Sequence, residues 1–308
     1  MVENVGLVLL RATEIISAAM ASTSSRPTIK SFFDPATATV THVLHDPATR
    51  RAVVVDPVLD FDAASGRVSR TSIGLIIGYI REQELVVDLI LETHVHADHL
   101  SGAAILRDIL GVPVGIGRAV NEVSTNFADI FASKDEASAA YDILFEDGDE
   151  FRVGHLEAVA LHVPGHTPAD MAYVIGDVVL TGDTLFMPDF GTARADFPGG
   201  DAQALFRSTR RLLSLPDETR LLHCHDYPPA GRDAPAWIST VAEQRAANIH
   251  VRDGMEEAAF VVMRKARDAT LATPALMLPS VQVNLRGGAL PDPAPNGRRY
   301  LVLPLDAI

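Results

Sequence analysis

An apolar run, Asp88-Leu89-Ile90-Leu91-Glu92, leads straight into Thr93-His94-Val95-His96-Ala97-Asp98-His99. No other stretch of the chain constrains its fold as strongly. Three imidazoles and one carboxylate fall within the six residues 94–99, at the end of a strand that reads as buried, where unpaired polar groups are costly. His94 and His96 are two apart, so on an extended backbone they share one face. Asp98 and His99 follow in a turn toward a helix, from which they can reach a second metal position. A single histidine in such a place is more often a hydrogen-bonded core or surface residue. A His-x-His-x-Asp-His cluster has the composition that divalent-metal sites require.

Three later segments repeat the placement. Val163-Pro164-Gly165-His166 puts a histidine in a tight turn after a strand, Leu180-Thr181-Gly182-Asp183 puts a carboxylate at another strand end, and Leu222-His223-Cys224-His225 puts His225 at a third. Taken singly, Asp183 reads equally well as a helix cap, and His166 or His225 as a surface loop residue. In order after residues 94–99, all of them point to one metal centre.

The pattern around these segments alternates strand and helix. Strands are expected at 37–43, 51–55, 88–93, 112–116, 150–153, 156–163, 171–175, 178–180 and 220–223. Helices are expected at 70–83, 103–110 (closed by Gly111), 201–214, 235–248 and 254–268, with a polar, mostly helical stretch at 119–143. Residues 270–308 are rich in proline and show no period. Two β-rich halves, each followed by helices, predict two packed sheets with helices outside. Residues 1–25 read as a leader or an extra helix, 26–250 as the main domain, and 251–308 as an extension packing on it.

Composition removes several partners. The net charge of −14 over 308 residues repels a phosphate backbone, so nucleic acid is excluded. No run approaches the roughly 20 apolar residues that span a bilayer, and a membrane partner is not expected. The single cysteine, Cys224, forms no intrachain disulfide and cannot build a thiolate-rich zinc site. A cytoplasmic location is the default, and the reading allows a homodimer.

The ordered set His94-x-His96-x-Asp98-His99, Gly165-His166, Gly182-Asp183 and His225 resembles the metallo-β-lactamase superfamily over roughly residues 28–250. The resemblance implies an αββα sandwich with the metals at the edge between its sheets. In the hydrolases of that family, His94, His96 and His166 would hold one metal, Asp98, His99 and His225 a second, and Asp183 would bridge them. The flavodiiron branch carries Glu at the position of His96 and fits less well.

Two blocks narrow the branch. Arg194-Ala195-Asp196-Phe197 and His225-Asp226-Tyr227 resemble the persulfide dioxygenases, whereas the hydroxyacylglutathione hydrolases end in His-Glu-Tyr. That resemblance implies one Fe(II) per chain on His94, His166 and Asp183, with His96, Asp98, His99 and His225 close by. The partners would be a thiol persulfide, usually that of glutathione, and O2. Tyr227, Asp98 and His99 are the candidate catalytic groups, Tyr227 as a hydrogen-bond donor. Arg194 is the candidate for binding the carrier's carboxylates, with an internal pair to Asp196 as its alternative; Arg252, Arg264 and Arg286 are weaker candidates. Asp56, before Pro57, reads either as the orienting partner of a ligand histidine or as a turn residue. The alternative function is a dinuclear zinc hydrolase of a thioester or lactone. Residues 119–145 look like an insertion that could edge the substrate pocket.

Overall fold

The structure is a computed structural model and describes residues 2–21, 26–132 and 136–306; the Ser22–Ser25 patch of the expected leader lies outside them. Two six-stranded sheets stack face to face. The first runs Thr28–Asp34, Thr39–His45, Arg51–Val55, Val86–Leu91, Val114–Gly117, Ile143–Phe145. The second runs Glu150–Val153, Leu156–His162, Met171–Ile175, Val178–Leu180, Arg220–Leu222, Ile238–Thr240. Each sheet follows chain order, so each half of the sequence makes its own sheet.

Alternation along the strands divides the core into layers. Leu44, Val53, Val55, Leu89 and Leu91 of the first sheet meet Ala160, Tyr173, Ile175, Leu180 and Leu222 of the second. The opposite faces carry helices. Helix Thr71–Glu82 turns Ile73, Ile76, Ile77 and Ile80 inward, the i, i+3, i+4, i+7 stripe of an amphipathic helix. Helices Ala103–Leu110 and Val120–Phe131 join it, and Gly111 ends the former at φ 68°. On the outer face of the second sheet, helix Val2–Ala21 buries Val8, Ala12, Ile15 and Ile16 beside helices Ala202–Leu212 and Glu257–Asp268. The result is the αββα sandwich.

Several elements differ from the expected ones. Strand Thr28–Asp34 pairs antiparallel with Thr39–His45 as a half-exposed edge, and Ile143–Phe145 is a further unexpected edge strand. The expected helix 235–248 divides into strand Ile238–Thr240 and helix Val241–Ala247, started by a capping box between Thr240 and Glu243. In the proline-rich tail, Met277–Asn284 is a helix. Its Pro279 sits in the first turn, where a missing N–H costs nothing.

Candidate metal centre

Every candidate ligand comes from the loop after a strand, along one edge of the sandwich. The sheets are stitched together there: Val40 N–H donates to Cys224 O at 2.7 Å, and Thr39 bridges to His225. Glycine permits two of the turns. Gly165 has φ 149° and a Cβ would lie 2.3 Å from Leu205 Cα; Gly182 has φ 51° and a Cβ would lie 2.9 Å from the Thr93 side chain.

Among the described residues four groups of three have ligand atoms within 4.8 Å of one another, and two of them are His–His–Asp triads: His94, His166, Asp183 and His96, Asp98, His225. Asp183 Oδ2 lies 3.7 Å from His94 Nε2 and 3.4 Å from His166 Nε2, while its Oδ1 lies 3.5 Å from His225 Nε2. Asp183 therefore stands between the triads. This grouping differs from the expected one, which placed His96 with His94 and His166. The cause is the His96 ring orientation. Its Nε2 is turned to Asp56 Oδ1 at 2.9 Å and Glu92 Oε2 at 3.3 Å, so Nδ1 faces the site. His99 belongs to neither triad and instead borders a separate cavity of 230 Å³.

The outer nitrogens of the histidines fix which nitrogen is free. A carbonyl only accepts, so His166 donates from Nδ1 to Arg194 O at 2.8 Å, and His225 from Nδ1 to Ala38 O at 3.2 Å. His94 Nδ1 lies 3.0 Å from Thr93 Oγ1, which itself donates to Asp56 Oδ2 at 2.9 Å. His99 Nδ1 faces Asp98 Oδ2 at 3.2 Å. The nitrogens left over, His94 Nε2, His96 Nδ1, His99 Nε2 and His225 Nε2, are buried without a hydrogen-bond partner among the described residues. Buried polar atoms are almost always paired. Four orphaned imidazole nitrogens beside two carboxylates fit a bound divalent cation.

The electrostatics separate the histidines. Burial, then neighbouring His96 and His166, hold His94 well below its ordinary value, so it is neutral and ready to ligate. Burial also pushes His96 down, but Asp56 and Glu92 outweigh it and hold His96 well above that value. Asp98 is raised by burial, yet His225 and His99 keep it well below the carboxylate range. Asp56 serves as both a turn residue and an orienting residue: it has φ 50° and also accepts from Thr93 N–H at 2.8 Å.

A 280 Å³ cavity opens onto Asp98, His166 and Asp183, walled by Phe186, Phe190 and Tyr227. Tyr227 stacks on His225 at 5.6 Å, with its hydroxyl 3.4 Å from His225 Nδ1; burial and then Asp98 and Asp183 raise its pKa, keeping it a neutral donor. Arg194 borders the cavity, but its guanidinium forks onto Asp196 at 2.5 and 2.8 Å and onto Ala272 O at 2.7 Å. Arg264 is buried against Asp268 at 2.6 and 2.8 Å. Arg252 and Arg286 are exposed and do not line the cavity. The expected insertion 119–145 lines other clefts.

Sequence reading missed two residues here. Arg267 lines the cavity 5.9 Å from the Phe190 ring and, among the described residues, has no salt-bridge partner; an arginine one turn beyond Arg264 was the available sign. Cys224 enters the cluster, its buried thiol donating to Asp183 Oδ1 at 2.8 Å. Its position directly before His225 was the hint.

These features are those of a metal-dependent enzyme scaffold, and the family model of the metallo-beta-lactamase superfamily matches residues 38–225. The chain belongs to that superfamily. A probable metallo-hydrolase of Burkholderia pseudomallei is 48% identical over 91% of this chain and 100% of its own length. The beta-lactamase hydrolase-like protein of Xylella fastidiosa is 48% identical over 92% of this chain, which spans 65% of that relative's length. The crystal structure of ETHE1 from Myxococcus xanthus superposes with a TM-score of 0.69 at 31% identity, covering 85% of this chain and 100% of that one. Within the superfamily the chain resembles the ETHE1-like branch. Among the described residues, no helix is long and apolar enough to cross a membrane.

Proposed function

We propose that the chain is an iron-dependent persulfide dioxygenase. It would convert glutathione persulfide, O2 and water to glutathione, sulfite and two protons, the outer sulfur being oxidised and the S–S bond broken. The observation that carries this reading is the bond from His166 Nδ1 to Arg194 O at 2.8 Å. The Arg194-x-Asp196-Phe197 block that resembles the dioxygenases is thereby built into a ligand of the cavity-facing triad, with the Phe197 ring 5.6 Å from that of His166.

His94, His166 and Asp183 would hold the metal. Fe(II) held by two imidazoles and one carboxylate would supply the redox chemistry that brings O2 and the persulfide sulfur together. Arg194 O and Thr93 lock the two imidazoles with Nε2 inward. Phe186 and Phe190 would keep water off the reacting atoms, and Tyr227 O–H would donate a hydrogen bond to oxygen or sulfur. Arg267, the cavity cation that no carboxylate engages among the described residues, would take a carboxylate of the carrier in place of Arg194, whose fork Asp196 occupies.

A second reading, a dinuclear zinc hydrolase of a thioester or lactone, draws support from the His96, Asp98, His225 triad and from the hydrolase names of the 48% identical relatives. The experiment is O2 uptake by iron-loaded protein with glutathione persulfide, with sulfite measured alongside. Stoichiometric O2 loss and sulfite support the dioxygenase. No O2 uptake, with turnover of a glutathione thioester by zinc-loaded protein, supports the hydrolase.

A further inference from the structure

The family model ends at residue 225, yet one buried side chain far beyond it reaches back to the metal-binding loop. Asn284, the last residue of helix Met277–Asn284, is 2% exposed. Its Nδ2 donates to His96 O at 2.8 Å and to His99 O at 2.9 Å, and its Oδ1 accepts from Ser101 N–H at 2.8 Å. A carboxamide has two N–H donors and one carbonyl; here all are spent on one loop. The three residues flank and include the segment whose side chains form the metal cluster. Nearby, Gly288 (φ 82°) allows close approach, since a Cβ there would lie 2.9 Å from Ser101 O and 3.1 Å from Ala104 N. Tyr141 O–H holds the clamp from behind through Asn284 O at 2.6 Å.

We propose that Asn284 is a positioning residue of the metal centre, and that the C-terminal segment 277–288 thereby sets metal affinity. Residues 94–99 lie between strands Val86–Leu91 and Leu100–Ser101 and belong to no helix or strand. Fixing His96 O and His99 O holds the loop on which His94, a ligand under either reaction, and Asp98 present their ligand atoms. This proposal rests on the metal site and is independent of whether the reaction is oxidation or hydrolysis.

Metal-free protein is titrated with Co(II), followed by visible absorption, and melting temperatures are recorded with and without metal. Asn284→Asp keeps the acceptor for Ser101 N–H but loses both donors. It is expected to weaken Co(II) binding by about ten- to a hundredfold, the scale of outer-shell substitutions, and to alter the absorption bands. Tyr141→Phe removes the bond behind the clamp without touching the loop; it should lower the melting temperature and leave Co(II) affinity within twofold. Equal affinity in Asn284→Asp and the parent, or equal losses in both variants, overturns the proposal. Hydrogen exchange on the unaltered chain decides even if the variants do not fold. Because coupling is reciprocal, Co(II) must increase protection of residues 277–288, and unchanged protection contradicts the clamp. Loss of dioxygenase activity alone, with these results intact, would bear on the function and not on Asn284.

Discussion

Behind His94 and His166 stand a hydroxyl and a carbonyl; behind His96 stand two buried carboxylates. The ligand types of the two triads are nearly the same, and their surroundings differ. Thr93 Oγ1 and Arg194 O choose a tautomer without adding charge, so His94 waits as a neutral donor. Asp56 and Glu92 hold a proton on His96, which must leave before a metal takes Nδ1. Only the first triad supplies both a histidine and its carboxylate to the cavity wall as a matched pair, with Asp98 the second triad's sole contribution. Ligand spacing therefore does not measure how readily each site fills.

Asp183 separates the two most sharply. It contributes to both sides, and Asp183→Ala should abolish stable metal binding, a loss larger than the roughly 10–100-fold of outer-shell changes. His225→Ala removes a ligand of the second triad and none of the first, and should retain most of the iron, measured by metal analysis after desalting. Equal loss in both variants would mean that the triads act as one dinuclear site.

That much of the centre was legible because strand ends, histidine spacing and tight glycine turns are local features. For this reason seven candidate ligands could be named from 94–99, 165–166, 182–183 and 225, while the choice of His94, His166 and Asp183 among them rests on the resemblance to the persulfide dioxygenases. The ring orientation of His96 was not legible, since it depends on Glu92 and Asp56, brought together by pairing of strands Arg51–Val55 and Val86–Leu91. The sandwich followed from alternating strands and helices. Helix Met277–Asn284 did not, because Pro279 within it and Pro274 before it mask a short helix stabilised by packing and not by propensity.

Next in size is an acid effect away from the metal. Burial lowers His42 from 6.5 to about 4, and burial with Arg264 and Arg267 lowers His250 to about 4. A depressed folded value gives stability that is full above 6.5 and lost as pH falls toward 4. For His42 alone the loss is about 3 kcal/mol. Urea midpoints of metal-free protein should fall steeply across that window, and a flat profile would refute the assignment.

The smallest expected effect distinguishes two arginines at the cavity. Arg267→Ala should raise KM for glutathione persulfide roughly fivefold, about 1 kcal/mol for an exposed ion pair, with iron content and melting temperature unchanged. Arg194→Ala should lower the melting temperature, because its guanidinium ties Asp196 to Ala272 O. A KM effect confined to Arg194→Ala would return the carrier contact to Arg194.

In the proposed enzyme the cavity-facing triad alone carries the active metal. Protein reconstituted anaerobically with Fe(II), desalted, and assayed for iron content and O2 uptake on one sample tests it directly. About one iron per chain with full persulfide-dependent O2 uptake is the predicted result. Activity that appears only at two metals per chain, or with zinc and no O2 consumed, would contradict it.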